Sequence, residues 1–368
     1  MTTIGVLGAG QLGRMLALAG IPLGLRFAFY DPNPEAPAAG LGELHCGGWD
    51  DAARLDAFAA GCDVVTYEFE NVPVDVARRI AGQKPVHPAP GALAAAQDRA
   101  SEKALFSRLG IATAPHANVD GLPDLERAIV AIGLPAVLKT RREGYDGKGQ
   151  RVLREASDAA SALAALGGRD LILEGFVPFT RELSILAVRG ADGATAFWPV
   201  VENVHREGIL RISVAPARAD AELAGRAVEL SRLVLEHLGY VGVLAIELFE
   251  HDGRLIANEM APRVHNSGHW TIEGAATSQF ENHVRAVTGW PLGGTQARGV
   301  AAMVNLIGTV PPAEAVLRVA GAHLHVYGKS ARPGRKLGHV TFVGPARDAV
   351  DASLRRLAEV VAEPALPR

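Results

Sequence analysis

Between Leu138 and Gln150 the chain reads Leu-Lys-Thr-Arg-Arg-Glu-Gly-Tyr-Asp-Gly-Lys-Gly-Gln, with three glycines and several charges in close succession. No protein core can take such a run, because each ion would lose its hydration without gaining a partner. It follows an apolar stretch over 134–138 that reads as a strand, and residues 150–154 read as the strand that returns. The fold must therefore present this loop to solvent or to a ligand. Gly144, Gly147 and Gly149 permit positive φ and close backbone approach, so successive N–H groups can turn toward an anion, while Lys139 and Lys148 supply point charges. A phosphate suits the loop; a solvated hairpin is the plain alternative.

The N-terminal stretch alternates strand and helix signals. Residues 4–7 read as a strand, Gly8-Ala9-Gly10-Gln11-Leu12-Gly13 follows, a helical run extends to about Ala19, and a second strand over 26–30 ends at Asp31. That spacing matches a dinucleotide-binding unit with its ribose-binding acid, so an NAD-dependent oxidoreductase is one reading. Against it, a strand over 64–67 leads into Glu68-Phe69-Glu70-Asn71, two carboxylates where a pyrophosphate would be repelled. A helix over 73–80 and a strand over 85–87 complete the pattern, which predicts a doubly wound parallel-sheet domain over residues 1–96. Pro88-Ala89-Pro90-Gly91 breaks the chain, and Asp98 caps a helix carrying Arg99 and Lys103.

A central domain is expected over 97–296 and a small β-rich C-terminal domain over 297–368, giving an α/β (α+β) class overall. In the central part, a strand over 170–174 ends in Glu174-Gly175-Phe176-Val177, groups suited to hydrogen bonding a base or sugar, or equally a plain turn. Strands are expected over 182–188, 194–200 and 209–214, with 202–208 as a polar loop containing His205, and a helix over 221–238. Length and composition agree with two or three ordinary globular domains: 368 residues, 48% hydrophobic, 21% charged, net charge -3. No global basicity points to nucleic acid or a membrane surface, two cysteines give no disulfide framework, and the cytoplasm is the expected compartment. Of 37 basic residues only six are lysines, and four of these (Lys139, Lys148, Lys329, Lys336) fall in two Gly-rich loops, where a compact ammonium has a use that Arg does not fill.

Two apolar strands, 241–249 and 255–260, each carry a carboxylate near the end, Glu247 and Glu259, which is costly without compensation. Mg²⁺ would supply it, with Asn258 alongside and phosphate oxygens completing its octahedron. Strand parity sets a condition. A two-residue turn at Asp252-Gly253 pairs Glu247 with Asn258 and sends Glu259 to the other face, so a shared metal requires an odd-length loop or a bulge. Beyond Met260, Ala-Pro-Arg263-Val-His265-Asn266-Ser267-Gly-His269-Trp-Thr is dense in hydrogen-bonding groups, as an active-site wall would be. The segment 328–339, containing Lys329, Arg332, Arg335 and Lys336, reads as a stiff cationic loop fit for a phosphate monoester, with a solvated basic turn as the alternative.

Together these motifs closely resemble the ATP-grasp superfamily, and within it the N5-carboxyaminoimidazole ribonucleotide synthetases of purine biosynthesis. The matching segments are Gly8 to Met15, Glu68-Phe69-Glu70-Asn71, Gln97-Asp98-Arg99, Lys139 with Gly144 to Gln150, Glu247 with Asn258 to Arg263, His265 to Thr271, and Tyr327 to His339. The resemblance implies ATP-dependent carboxylation of 5-aminoimidazole ribonucleotide by bicarbonate, through carboxyphosphate, with ATP and Mg²⁺ as cofactors and a homodimer as the assembly. It assigns Arg99, Lys139 and the loop Gly144, Tyr145, Asp146, Gly147, Lys148, Gly149, Gln150 to ATP, with Glu174, Gly175, Phe176, Val177, Glu182, His205, Asn258 and Glu259. Glu247 and Glu259 would hold the metal. Tyr145, Asp146, Arg263 and His265 would orient bicarbonate and amine; Gln11, Glu70, Asn266, Ser267, Lys329, Arg332, Arg335 and Lys336 would bind the ribonucleotide. A formate-using ligase of the same superfamily and a non-catalytic nucleotide sensor share parts of this pattern.

Overall fold

The computed structural model describes residues 1–144 and 147–361. Tyr145 and Asp146 lie outside the described residues. Three sheets organise the described residues. The first contains β1 (Thr3–Leu7), β2 (Arg26–Asp31), β3 (Glu43–Cys46) and β4 (Val64–Tyr67), all parallel, in the order β3-β2-β1-β4. Crossover helices Gln11–Gly20 and Ala52–Ala60 cover it, which leaves its central strands buried and nearly continuously apolar. The strand expected over 85–87 is reduced to a single parallel bridge, Val65 to Val86. Pro85 and Pro88 flank it and donate nothing to a ladder.

The second sheet is antiparallel: β5 (His116–Val119), β6 (Ala136–Thr140), β7 (Gln150–Leu153) and β8 (Leu171–Gly175), ordered β5-β8-β6-β7. Helices Leu122–Ile132 and Asp158–Ala165 bury Leu125, Ala128 and Ala159 against its Val119, Leu138, Leu153 and Leu173. The Gly-rich loop joins β6 to β7, with Lys139 paired to Gln150 at its base.

The third sheet has nine strands: β9 (Arg181–Arg189), β10 (Thr195–Phe197), β11 (Val201–Arg206), β12 (Ile209–Ala215), β13 (Gly242–His251), β14 (Arg254–Ala261), β15 (Val300–Ile307), β16 (His323–Val326) and β17 (Lys336–Gly344). Its order is β14-β13-β9-β11-β12-β15-β17-β16, with β10 on β9. The chain leaves the sheet after Ala261 and returns to it beyond residue 297, where β15 pairs with β12 through Ile212–Val304 to Ala215–Ala301. Helix Ala221–His237 packs on one face against Leu183, Ile185, Leu244 and Ile246. Helix Gln279–Val287 packs on the other against Leu186, Val188, Val243 and Ala245.

Two expected loops are strands. Residues 201–206 form β11, hydrogen-bonded on both sides by β9 and β12, and only Glu207-Gly208 turns, both at positive φ. Its run Glu-Asn-Val-His-Arg looks like a loop because one face of this part of the sheet is polar: Asn203 meets Ser184 and Ser213 there instead of core hydrocarbon. Likewise Lys336 to His339 belongs to β17, and His339 is fully buried in it.

Candidate active site

The face of the third sheet carrying Glu247, Ser184, Glu182 and Asn203 changes character along its strands. Register places Glu247 beside Ser184, and Glu182 beside Asn203, whereas Leu186 and Val188 on the same face of β9 are core. A polar patch therefore sits at one end of an otherwise apolar face, opposite the second sheet. On its edge, β13 and β14 are joined by a two-residue turn pairing His251 with Arg254, yet Glu247 pairs with Glu259 because the ladder slips between Glu247 and Leu248. Asn258 is the extra residue. The bulge meets the parity condition and brings both carboxylates to one side.

These acids behave as a pair. Burial first, then the neighbouring Glu259 charge, pushes Glu247 up to about 7. Glu259, although burial opposes it, is held below the ordinary range by Arg99, whose Nη1 donates to Glu259 Oε2 at 2.7 Å. Asn258 Oδ1 lies buried beside them with no hydrogen-bond partner among the described residues. Two carboxylates of which one resists ionising, plus an orphaned amide oxygen, form a hard-oxygen donor set that fits Mg²⁺.

Across the cleft, β6 and β8 of the second sheet present Lys139 and Glu174, joined at 2.8 Å. The Gly-rich loop bends back toward the third sheet. A Cβ on Gly147 would lie 2.8 Å from Glu207 O of the β11–β12 turn, and one on Gly149 would lie 2.5 Å from Thr140 Oγ1, at φ values of +74° and +70°. Both positions accept glycine alone without displacement. Gly175 continues β8, and Phe176 is exposed at its end. His205 Nδ1 lies 3.0 Å from Glu182 Oε2. Burial works against its cation, but the Glu182 contact and the Glu247 charge together raise its pKa.

Beyond the glutamate pair lies the wall. Arg263 pairs with Glu70 of the N-terminal domain through Nε. Burial opposes the Glu70 charge, yet the guanidinium holds it down at about 2. His265 Nε2 is 3.4 Å from Glu247 Oε1, and burial with the Arg263 charge depresses its pKa to about 3, so it works as a neutral imidazole. Gln279 locks it from behind: its Oε1 accepts from His265 N, and its Nε2 donates to His265 O. Lys336 adds charge to the same group, felt at Glu247, His205 and His265. Lys329 reaches the N-terminal domain, donating to Gln11 Oε1 at 2.7 Å. The expected ribonucleotide contacts thus divide. Gln11 and Lys329 meet each other, and Glu70 and Lys336 both act on His265; Arg332 is exposed and Arg335 turns to Ser330. The side chains of Asn266 and Ser267 turn inward, Asn266 to Asn305 and Ser267 to Ser184 and His265.

The dinucleotide reading fails on geometry. Glu68 fills the N-terminus of helix Gln11–Gly20, accepting from Gly10 N at 2.5 Å and Gly13 N at 2.7 Å, while Asp31 Oδ2 accepts from Ala9 N at 2.8 Å. The anion position of the GxGxxG turn is already taken by the protein's own carboxylate.

Comparison with known proteins agrees with this geometry. An ATP-grasp domain model matches residues 104–280, a ribonucleotide synthetase preATP-grasp domain model residues 1–97, and a phosphoribosylaminoimidazole carboxylase C-terminal domain model residues 301–353. The N5-carboxyaminoimidazole ribonucleotide synthase of Pseudomonas aeruginosa is 54% identical over 98% of both chains. This chain belongs to the N5-carboxyaminoimidazole ribonucleotide synthase family. Among solved structures, the synthetase of Thermus thermophilus superposes with a TM-score of 0.95 at 57% identity, over 99% of this chain and 100% of that one. The enzyme of Aspergillus clavatus, in complex with ADP and 5-aminoimidazole ribonucleotide, gives 0.92 at 31% identity over 98% of each. Family membership makes the chain an ATP-dependent ligase of the ATP-grasp class.

Two residues of this synthase-family site escaped the reading of the sequence. Glu102 and Lys103, adjacent on helix Arg99–Arg108, hold the bulged strand by its backbone. Glu102 Oε1 accepts from Met260 N and Lys103 Nζ donates to Asn258 O, both at 2.6 Å. Burial pushes Glu102 up to about 8. The scarcity of lysine was the available signal, since Lys103 was one of two lysines left outside the Gly-rich loops.

Proposed function

We propose that the chain joins bicarbonate to 5-aminoimidazole ribonucleotide at the expense of ATP, giving N5-carboxyaminoimidazole ribonucleotide, ADP and phosphate in purine biosynthesis. The observation that carries this is the bulge at Asn258, which sets Glu247 and Glu259 side by side between Lys139 and Arg99 on one hand and His265 and Arg263 on the other. Arg99 and Lys139 bind the ATP phosphates, and the loop of Gly144, Gly147, Lys148, Gly149 and Gln150 closes over them. Glu174 to Val177, Glu182 and His205 take the adenosine. Glu247 and Glu259, with Asn258, would hold Mg²⁺, which would supply charge neutralisation at the phosphates.

A bicarbonate oxygen attacks the γ-phosphorus and ADP departs. The amine nitrogen of the ribonucleotide then attacks the carboxyl carbon, phosphate departs, and the nitrogen loses a proton. Carboxyphosphate survives only where water is excluded, which is the task of the closed loop. Arg263 and neutral His265, with Tyr145 and Asp146 of that loop, orient bicarbonate and amine. Gln11, Glu70, Lys329, Arg332, Arg335 and Lys336 bind the ribonucleotide, and Asn266 and Ser267 contribute through the turn they stiffen. The protein works as a cytoplasmic homodimer of three-domain chains divided near residues 96 and 296. ADP release is the test: it should require bicarbonate and the amine together, and equal release without the amine would reject the assigned reaction.

A further inference from the structure

Lys103 is fully buried, and the nucleotide reading gives it no task. Its ammonium lies 3.6 Å from Glu174 Oε2, the same oxygen that accepts from Lys139 at 2.8 Å. One buried acid needs one counter-ion; a second buried cation adds a desolvation cost. The excess becomes useful if one cation leaves. Lys139 stands at the base of the Gly-rich loop with one of its three N–H donors given to Glu174, and a phosphate that draws the ammonium toward itself weakens that pair. Lys103 is tethered by its hydrogen bond to Asn258 O, and Arg99, the third cation nearby, is engaged by Glu259 at 2.7 Å. Without Lys103, movement of Lys139 would strand a buried carboxylate.

We propose that Lys103 is a positioning residue, the standing counter-ion of Glu174, which lets Lys139 exchange that carboxylate for nucleotide phosphate. The proposal rests on the ATP-binding reading above. It places the cost of losing Lys103 on ligands that draw Lys139 away, and spares ligands that do not. A residue that merely filled space would affect both alike.

The test compares ADP and adenosine binding to the full chain, by calorimetry and by ligand-observed NMR. Unmodified protein that binds neither would reject the ATP-binding reading itself. Lys103→Gln, which keeps a donor for Asn258 O but not the charge, should weaken ADP about tenfold or more and adenosine less than about twofold. On a Glu174→Gln background, where no charge is stranded, Lys103→Gln should cost ADP less than about threefold; this pair decides the matter even if the single variant does not fold. Equal losses for ADP and adenosine, no loss of ADP, or an undiminished loss on the Glu174→Gln background would each overturn the proposal.

Discussion

At the scale of single residues, the site is a set of charges that hold one another in place, and the Glu70–Arg263 pair shows what that is worth. Burial alone would favour the neutral acid; Arg263 reverses this and holds the carboxyl at about 2. A carboxylate whose pKa is lowered on folding stabilises the protein fully above its unfolded value of about 4.3, and the contribution fades as pH falls toward 2. Glu70→Gln leaves a buried guanidinium unpaired and should cost on the order of 3 kcal/mol at neutral pH. Melting temperature followed from pH 7 to 3 checks the sign. The gap between the unmodified protein and the variant should be constant above about pH 5 and narrow below it; a gap that widens in acid would show that the pair does not stabilise the fold. Because Arg263 would lose its anchor, turnover should fall as well.

At the scale of elements, the β13–β14 hairpin concentrates the design in one inserted residue. Asn258 lets Glu259 join Glu247, and its own amide oxygen is left buried and unpaired among the described residues. An unpaired acceptor costs about 1–3 kcal/mol. Asn258→Ala should therefore leave the ligand-free protein as stable or slightly more so in a thermal melt. Its half-saturating Mg²⁺ concentration for ADP formation should rise about tenfold, as loss of a metal contact requires. A destabilised variant with unchanged Mg²⁺ dependence would refute the assignment. This hairpin was legible in the sequence because side-chain parity is a strict rule: two carboxylates and a two-residue turn can serve one ion only with a bulge. β11 was not legible. Strands are recognised by apolar alternation, and Val201–Arg206 spends its alternate positions on the cleft, where Asn203 and His205 face other polar groups. The GxGxxG turn was ambiguous for a related reason. Its glycines report a close approach to the helix N-terminus, but not that the approaching group is Glu68.

At the scale of the molecule, the groups proposed to bind ligands come from sequence-distant segments that the third sheet unites. Lys329 reaches from the β16–β17 connection to Gln11 at the start of the first crossover helix, and Arg263 reaches from the end of β14 to Glu70. The family models divide the sequence near residue 300, whereas the sheet runs across that point, and the core under β15 and β17 includes Val214 of β12. Removing everything after residue 296 would leave Ile212 to Ala215 as a bare, apolar edge and deprive Asn266 of Asn305, its reciprocal amide partner inside the wall. An exposed edge of this kind templates association, and a stranded buried amide loosens the turn that carries His265. A chain of residues 1–296 should therefore aggregate or melt without a cooperative transition, with fast hydrogen exchange in β12 and in residues 265–271. If that fragment instead stays monomeric with a sharp melt and protected β12 amides, the C-terminal strands are an appendage to the site rather than part of its foundation.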